Sequence, residues 1–197
     1  MKPQHPIAFL CCVAGMARGQ APTAFPLDKT TRRICYSAVV PMAGASQADL
    51  HARAFAWASS KAPAGPPPVV IQEPGTEVIT ADGAQPFAYT FPFTNHGTRL
   101  PQPNTVNMVL HYTVKLAVRE GRYRYEVTDF VFEYPVAKPL SSSKRPVEDD
   151  LIKTHAINED GGNMLEAERK SFAAAAAKLQ VQLKEKMNTP VLKSEEQ

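Results

Sequence analysis

An alternation of apolar and polar residues over 106–134 predicts a long antiparallel β-hairpin. Glu120-Gly121 lies at its centre and suits a two-residue turn, which fixes how the two strands pair. In this register each apolar residue faces another, and a slip of one residue would send them all to the other side of the sheet. The apolar pairs are Val118 with Tyr123, Leu116 with Tyr125, and Val114 with Val127.

The alternation changes phase at Thr128-Asp129, because Phe130 and Phe132 have the opposite parity from the apolar residues before them. One extra residue in the second strand restores the agreement, so the sequence predicts a β-bulge at Thr128-Asp129 that bends the hairpin. Beyond the bulge the predicted pairs are Phe130 with Tyr112 and Phe132 with Leu110.

Asp129 is the carboxylate of greatest functional interest, because bulges often re-aim side chains next to functional sites. A base or a ligand at this position is one interpretation. We favour a structural one, in which Thr128 and Asp129 hydrogen-bond the backbone groups that the bulge leaves unpaired. The pattern does not fix the orientation of Glu133 well enough to make it an acid–base partner of Asp129.

Two stretches have the 3.6-residue spacing of amphipathic helices. The first runs over 46–61, with Ser46 as its N-cap and Trp57 as its core anchor, and prolines follow it. The second begins at an Asn163 cap and ends before Pro190. Its buried stripe consists of Leu165, Phe172, Ala176, Leu179, Leu183 and Met187.

The remaining strands are marked by β-branched and aromatic residues. Residues 33–40 form a strand that Pro41 ends, and a Pro-Gly turn joins the apolar runs at 69–71 and 78–79 in a hairpin. Beyond Asp82-Gly83 a further strand is predicted, which lies at an edge or ends near its proline at position 92. Its alternating aromatic residues are Phe87, Tyr89, Phe91 and Phe93.

Two regions lack a clear pattern. Residues 95–105 are predicted to be a loop. The polar region 137–163 is predicted to be an irregular connection to the last helix, with a short helical turn at 147–153.

This order of elements, strand–helix–four strands–helix, predicts an α+β fold in which an antiparallel sheet is covered on one face by two helices. The hairpin strings 112–115 and 120–130 resemble a family of exported bacterial domains of unknown function that is frequent in Bacteroidota. The resemblance covers about residues 33–135. The first helix contributes Leu50, Arg53-Ala54 and Trp57 to it.

The resemblance implies a fold like that of the TATA-box-binding protein (TBP). It implies no reaction and no site residues, and likeness of fold to a DNA-binding protein is no reason to expect DNA binding. The chain departs from the family pattern at 76–105, where Asp82-Gly83 and a proline-rich insertion are expected to interrupt a single long strand.

The first residues have the three parts of a secretory signal peptide. Lys2 supplies a positive charge, residues 7–14 an apolar run, and Ala17-Arg18-Gly19 a small-x-small cleavage pattern. We therefore predict a signal peptide over 1–19, cleaved after Gly19, and export to the periplasm or the cell exterior. The apolar run is shorter than the roughly 20 residues that cross a membrane, so no transmembrane segment is predicted in the mature chain.

Past the signal peptide we expect a leader linker over 20–32, one domain over 33–187 and a disordered tail over 188–197. Lipidation of Cys11 or Cys12 remains an open alternative, although the bulky residues before Cys11 disfavour it.

Composition narrows the class of protein. The chain is 44% hydrophobic and 21% charged, which suits a globular domain, and its 18 prolines lie mainly between predicted elements. Its 22 Lys and Arg against 19 Asp and Glu give a net charge of +3, which does not favour a nucleic acid as partner. Cleavage leaves Cys35 as the one cysteine, so no disulfide or zinc site is predicted. We expect Cys35 to act as a small buried hydrophobic residue.

No residues with a recognisable catalytic spacing appear, so we predict that the protein is not an enzyme and holds no metal or cofactor. The histidines stand far apart, without the spacing of zinc ligands. We interpret His111, opposite Val131 on the polar face of the hairpin, as a half-exposed structural residue.

Arginines cluster at the tip of the predicted hairpin. Such a cluster is an anion site in one interpretation and a solvated face in the other, with Glu120 and Glu126 near enough to pair with it. The cluster consists of Arg119, Arg122 and Arg124.

These observations favour an exported, non-enzymatic binding or protein-interaction module for an unknown envelope protein, acting through the polar face of the hairpin. The alternative is a carrier of a small apolar ligand or lipid in an aromatic-lined cavity between sheet and helices, against which stands a filled core. The candidate binding residues are His111, Thr113, Lys115, Arg119, Arg122, Arg124 and Glu126, and the candidate cavity residues are Phe87, Tyr89, Phe91, Phe93, Tyr112, Tyr123, Tyr125, Phe130 and Phe132.

Overall fold

The structure, a computed structural model, describes residues 25–61, 69–73, 76–94, 100–135, 143–152 and 159–190. The strands within these residues are β1 (Tyr36–Pro41), β2 (Val69–Glu73), β3 (Thr76–Phe93), β4 (Gln102–Arg119), β5 (Arg122–Tyr134) and β6 (Ser143–Pro146). The helices are α1 (Gln47–Lys61), α2 (Val147–Leu151) and α3 (Glu159–Asn188).

The strands form one antiparallel sheet in the order β1-β5-β4-β3-β2, and β6 also pairs with β5. β1 and β6 share one edge of β5, since β1 pairs with Arg122–Val127 and β6 with Val131–Tyr134. Helices α1 and α3 contact each other and pack on one face of the sheet. The predicted α+β fold is confirmed.

The described residues within 137–163, at 143–152 and 159–163, are more regular than the sequence suggests. The predicted helical turn is confirmed as α2, but β6 precedes it and α3 begins within the region. β6 is polar and short, so its own pattern does not mark it as a strand. It is held instead by the edge of β5 that β1 leaves open.

The β4–β5 hairpin has the predicted register. Thr113 faces Thr128 before the bulge and His111 faces Val131 after it, so β5 carries one extra residue between these pairs. Asp129 adopts a φ of 54°, in the left-handed region that aspartate tolerates better than most residues. The predicted bulge is confirmed, and it separates the part of β5 that pairs with β1 from the part that pairs with β6.

β3 is one continuous strand, although the sequence predicts an interruption at Asp82-Gly83. That prediction is wrong because Gly83 serves long-range packing: it faces Tyr112, whose ring lies against the glycine. A Cβ at position 83 would come within 2.4 Å of Tyr112 Cε2, so glycine leaves room for the ring. β4 likewise begins at Gln102, inside the predicted loop 95–105.

The predicted hairpin between the apolar runs is confirmed as β2–β3, in which Ile71 faces Val78. Its Pro-Gly turn lies outside the described residues. β2 pairs with β3 only as far as Thr80, so the later part of β3 has β4 as its one described partner. Pro92 lies in that part, next to the last residue of the strand, as predicted.

One hydrophobic core lies between the sheet and the helices. Trp57 of α1 is only 2% exposed, which confirms it as the anchor of that helix. Phe172 of α3 meets Phe130 and Phe132 of β5 edge-to-face, at ring-centroid distances of 5.1 Å and 6.1 Å. Aromatic pairs of this kind contribute about 0.5–1.5 kcal/mol beyond their burial. Every residue of the predicted α3 stripe is buried.

The two long helices differ in how well the sequence predicts their starts. Ser46 caps α1, since its Oγ accepts a hydrogen bond from the backbone N–H of Asp49 at 3.1 Å. α3 begins at Glu159, so the predicted cap at Asn163 is wrong. Met164 packs against the core, and such tertiary contacts stabilise the start of a helix without a cap at that position.

The segment ahead of β1 packs on the domain, although the sequence predicts a linker over 20–32. Leu27 bridges to Ile34, and the Phe25 ring meets the Phe172 ring of the core edge-to-face at 5.4 Å. Asp28 holds the turn between them, because its Oδ1 accepts backbone hydrogen bonds from the residues two and three positions on, at 3.0 Å and 2.7 Å.

The predicted signal peptide at 1–19 lies outside the described residues, as do residues 191–197 of the predicted tail. α3 ends at Asn188, ahead of Pro190 as predicted. Among the described residues, no helix is long and apolar enough to cross a membrane.

Candidate functional site

The candidate binding residues lie together on the outer face of the sheet, which we define as the face that α1 and α3 do not cover. In β4 and β5 buried side chains, which point to the helices, alternate with exposed or half-exposed ones. The sequence-predicted residues belong to the second set, so the structure brings them onto one surface. They are His111, Thr113, Lys115 and Arg119 of β4 and Arg122, Arg124 and Glu126 of β5.

An open groove crosses the outer face near the hairpin tip, and we name it the arginine groove. Val39 of β1, Ala117 of β4 and Val78 of β3 give it an apolar floor. The strand register places these residues side by side across the sheet, because Arg124 faces Val39 on one side and Ala117 on the other. The groove has a volume of about 410 Å³, and its lining is completed by Arg119, Arg122, Tyr123 and Arg124.

Glu126 is a carboxylate beside the arginine groove, where it pairs with cations of both strands. Arg124 Nη2 lies 3.6 Å from Glu126 Oε2, and Lys115 Nζ lies 3.7 Å from the other oxygen of the same carboxylate. Exposed pairs of this kind are worth about 0–1 kcal/mol, so they leave the arginine available to another anion. Arg122 lines the same groove, one row closer to the hairpin tip.

Glu120 contacts the start of α1, a contact that the sequence does not suggest. Its Oε2 accepts a hydrogen bond from the backbone N–H of Gln47 at 2.9 Å. The first N–H groups of a helix and its dipole concentrate positive charge there, which favours a carboxylate. Two backbone hydrogen bonds hold the hairpin tip beside the start of α1. The N–H of Met42 donates to the carbonyl oxygen of Gly121, and the N–H of Gly121 donates to the carbonyl oxygen of Ala45.

Charges are paired at the other end of the outer face, near the bulge. His111 Nε2 lies 2.5 Å from Glu133 Oε2, and Lys144 Nζ lies 3.4 Å from the same oxygen. The Thr113 hydroxyl donates to Asp82 Oδ1 at 2.8 Å. His111 is half-exposed and faces Val131, which confirms its predicted place.

The bulge itself is tied to the segment ahead of β1. Thr128 Oγ1 donates to a backbone group, the carbonyl oxygen of Ile34 at 3.3 Å, which belongs to that segment and not to the β4–β5 pair that the bulge interrupts. Asp129 instead pairs with a side chain, since its Oδ1 lies 2.7 Å from Arg33 Nη1. Ile34 also donates its N–H to Glu148 Oε1 at 2.7 Å, which joins α2 to the same place. These contacts link the bulge to the segment ahead of β1 and to α2.

Glu168 of α3 is a buried carboxyl group that sequence analysis missed. The residue is 3% exposed, and its Oε1 has no hydrogen-bond partner among the described residues. Burial, and after it the Asp150 carboxylate, raises the pKa of Glu168 to about 7. Burial and the same two carboxylates raise the pKa of Tyr89, and Tyr134 donates its hydroxyl to Asp150 Oδ2 at 3.0 Å. The sequence signal that could have identified Glu168 is its position between Leu165 and Phe172, at helical spacing within the apolar stripe of α3.

Cys35 is half-buried, not fully buried as expected. It lines an open groove of about 390 Å³ beside β1, which we name the edge groove. Burial, followed by the nearby Glu126 and Asp28 carboxylates, raises the pKa of its thiol, which makes the cysteine less reactive at neutral pH. The other residues of the edge groove are Pro26, Leu27, Asp28, Lys29, Tyr36, Ser37, Arg124, Glu126 and Gln180.

The aromatic residues that would line a carrier's cavity pack against one another and against α3. Phe87 stacks on Phe132 at 5.0 Å, and Phe132 in turn contacts Phe172. Phe93 meets Phe91 edge-to-face at 6.4 Å but differs from the others in being substantially exposed. The arginine and edge grooves lie outside this core.

A curled antiparallel sheet with helices on one face and an exposed polar face defines a small α+β domain with the fold of TBP-like proteins. Residues 36–133 match the family described as "Domain of unknown function (DUF4468) with TBP-like fold". This match confirms the resemblance carried by the hairpin and places the segment in the DUF4468 family. The comparison with curated proteins gave no match.

Two crystal structures share the fold. A DUF4468 family protein from Bacteroides ovatus ATCC 8483 has 13% identity and a TM-score of 0.53, over 86% of this chain and 93% of that one. A TBP-like protein from Parabacteroides distasonis ATCC 8503 has 14% identity and a TM-score of 0.50, over 84% of this chain and 98% of that one. At these identities the likeness concerns the fold alone.

Proposed function

We propose that the protein is an exported, non-enzymatic interaction module that binds an envelope protein through the arginine groove. The observation that carries this proposal is the groove's combination of an apolar floor with Arg122 and Arg124, the second of which makes only an exposed ion pair with Glu126. Apolar floor residues gain free energy when a partner covers them, and guanidinium groups select a carboxylate beside them. The folded core gains nothing from leaving Val39 60% exposed in such a groove.

The packed aromatic core supports an interaction module over the alternative, a carrier of a small apolar ligand or lipid. A carrier needs an enclosed apolar space of about 300 Å³ or more. The aromatic side chains proposed to line it are instead in contact with each other and with Phe172. Native mass spectrometry of the protein from its own cells would support the carrier if it found a retained apolar molecule.

Photo-crosslinking at two valines tests the binding surface. Val39 lies in the arginine groove, and Val181 lies on α3 with a similar exposure of 53%. Each is replaced in turn by benzoylphenylalanine in the cells that produce the protein. We expect a discrete protein adduct at position 39 and none at position 181. Adducts of equal yield at both positions, or none at position 39, would overturn the proposal.

Export is tested by the N-terminus of the mature protein. We expect mass spectrometry of the protein from its own cells to find a chain beginning at Gln20, recovered from the periplasmic or extracellular fraction. An intact Met1 in the cytoplasmic fraction would contradict export and leave the groove as the binding site of an intracellular partner.

A further inference from the structure

β1 is the edge of the sheet beside the arginine groove. Among the described residues no strand pairs with it on the side away from β5. An edge strand leaves backbone N–H and C=O groups unpaired, and another extended chain can bind to them. β1 is therefore the place where the proposed surface offers backbone groups as well as side chains.

The direction of the backbone groups follows from the residues just before β1. Ile34 directs its carbonyl oxygen toward Thr128 of β5. Cys35 donates its N–H to the carbonyl oxygen of Pro26 at 2.9 Å, on the opposite side. The segment that contains Pro26 thus already pairs with the outward edge of the chain, up to Cys35, the last residue before β1.

Beyond Cys35, none of the described residues pairs with the outward edge. Successive residues of a strand direct their backbone groups to opposite sides, so Ser37 and Val39 have the same outward direction as Cys35. Pro41 has the same parity, and its missing N–H therefore leaves the pairing with β5 intact. The open edge offers the N–H and C=O groups of Ser37 and Val39 and the C=O of Pro41.

Both grooves follow this edge, and Arg124 lines each of them. The edge groove contains cations and carboxylates, with Lys29 and Asp28 at one end. The arginine groove contains arginines above its apolar floor, and Arg122 lies nearest the Pro41 end. Charge complementarity therefore places acidic residues of a bound segment toward the Pro41 end.

We propose that an extended acidic segment of the protein partner adds to β1 as a new edge strand. Its backbone hydrogen-bonds to Ser37 and Val39, one apolar side chain covers Val39, and a carboxylate binds Arg122 or Arg124. This inference rests on the proposed function and specifies the chemistry of the partner. The mode of binding is β-strand addition, in which main-chain bonds give affinity and alternate side chains give specificity.

Selection from a phage-displayed library of random twelve-residue peptides tests the inference on the purified mature chain. We expect enrichment of peptides that alternate apolar residues with Asp or Glu. Methylation of alternate backbone nitrogens in a selected peptide should abolish binding, because it removes N–H donors and leaves the side chains unchanged. Failure to enrich any peptide, or enrichment of basic or helix-forming peptides, would overturn the inference.

Substitutions in the protein separate the backbone contribution from that of the side chains. Val39→Pro removes an outward N–H, and we expect it to weaken peptide binding by about tenfold or more. Val39→Thr keeps the N–H and the β-branched shape, so it should stay within about threefold. Arg122→Glu should weaken acidic peptides by about tenfold. Urea unfolding of each variant confirms that the domain is folded.

The outcomes distinguish the two proposals. If benzoylphenylalanine at position 39 crosslinks to a native partner but Val39→Pro leaves peptide binding unchanged, the proposed interaction module is supported and strand addition fails. If hydrogen exchange of the Ser37 and Val39 amides also stays fast in the partner complex, the failure of strand addition is confirmed. If no adduct forms at Val39 and no peptide is selected, both proposals fail.

Discussion

The two faces of the sheet use the same strands for opposite purposes. The face toward α1 and α3 is apolar and closely packed, and Glu168 of α3 is a carboxyl group buried in that core. The outer face is polar, with paired charges near the bulge and a cluster of arginines near the hairpin tip. Packing on the inner face allows little change, whereas the arginine end of the outer face contributes little to folding. We therefore expect stability and binding to separate between the faces.

Gly83→Val should have the largest effect on stability. The new side chain would enter the space that the Tyr112 ring occupies, where a Cβ alone would come within 2.4 Å of Cε2. We expect a loss of about 3 kcal/mol or more in the free energy of unfolding, measured by urea denaturation. Gly162→Ala is the control, because position 162 is open and helical, and it should stabilise by about 0.5–1 kcal/mol.

The buried carboxyl group of Glu168 makes the free energy of unfolding depend on pH. The pKa of Glu168 is raised to about 7 in the folded protein, above its model-peptide value of 4.5. Below pH 4.5 Glu168 is protonated in both the folded and the unfolded protein, so its burial does not lower the free energy of unfolding. As pH rises toward 7 the unfolded state loses its proton first, so stability falls by roughly 3 kcal/mol and then levels off.

Glu168→Gln tests this pH dependence because it removes the titrating group. We expect the difference in unfolding free energy between variant and wild type to shift by roughly 2–3 kcal/mol in favour of the variant from pH 5 to pH 8. Glu166→Gln, on the exposed side of the same helix, should keep the wild-type profile. A difference that is constant with pH for Glu168→Gln would show that burial does not perturb this carboxyl group.

The bulge is where the outer face does contribute to folding. Asp129 has a φ of 54°, which a β-branched residue adopts only with strain. Asp129→Val should therefore cost about 2 kcal/mol in urea denaturation. Asp129→Asn keeps the backbone tolerance and loses only an exposed ion pair with Arg33, so it should cost less than about 1 kcal/mol. Equal losses would mean that the ion pair, and not the backbone, matters.

Local periodicity was enough to predict the hairpin and its bulge. The parity of Val127 and Phe130 alone places an extra residue between them, because a sheet has two sides and one of them is buried. The same reasoning put the candidate binding residues on one face. It needed no knowledge of the rest of the chain.

Contacts between distant parts of the chain were not predictable in this way. Gly83 resembles a strand breaker until the Tyr112 ring is placed against it. Arg33 and Asp129 are 96 positions apart, and Glu120 binds the start of α1, 73 positions away. Each depends on which elements the fold brings together, a property that neighbouring residues do not encode.

The smallest effect on stability should come from the arginine end of the outer face. Arg122→Glu changes an exposed side chain in an open groove, so unfolding should change by less than about 1 kcal/mol, while the adduct at position 39 should be lost. Lys144→Glu is the matched control, since it reverses an exposed charge at the bulge end of the same face. It should also leave unfolding within about 1 kcal/mol, with crosslinking intact. If both reversals abolish the adduct, the partner responds to overall charge rather than to the groove, because each variant changes the net charge equally.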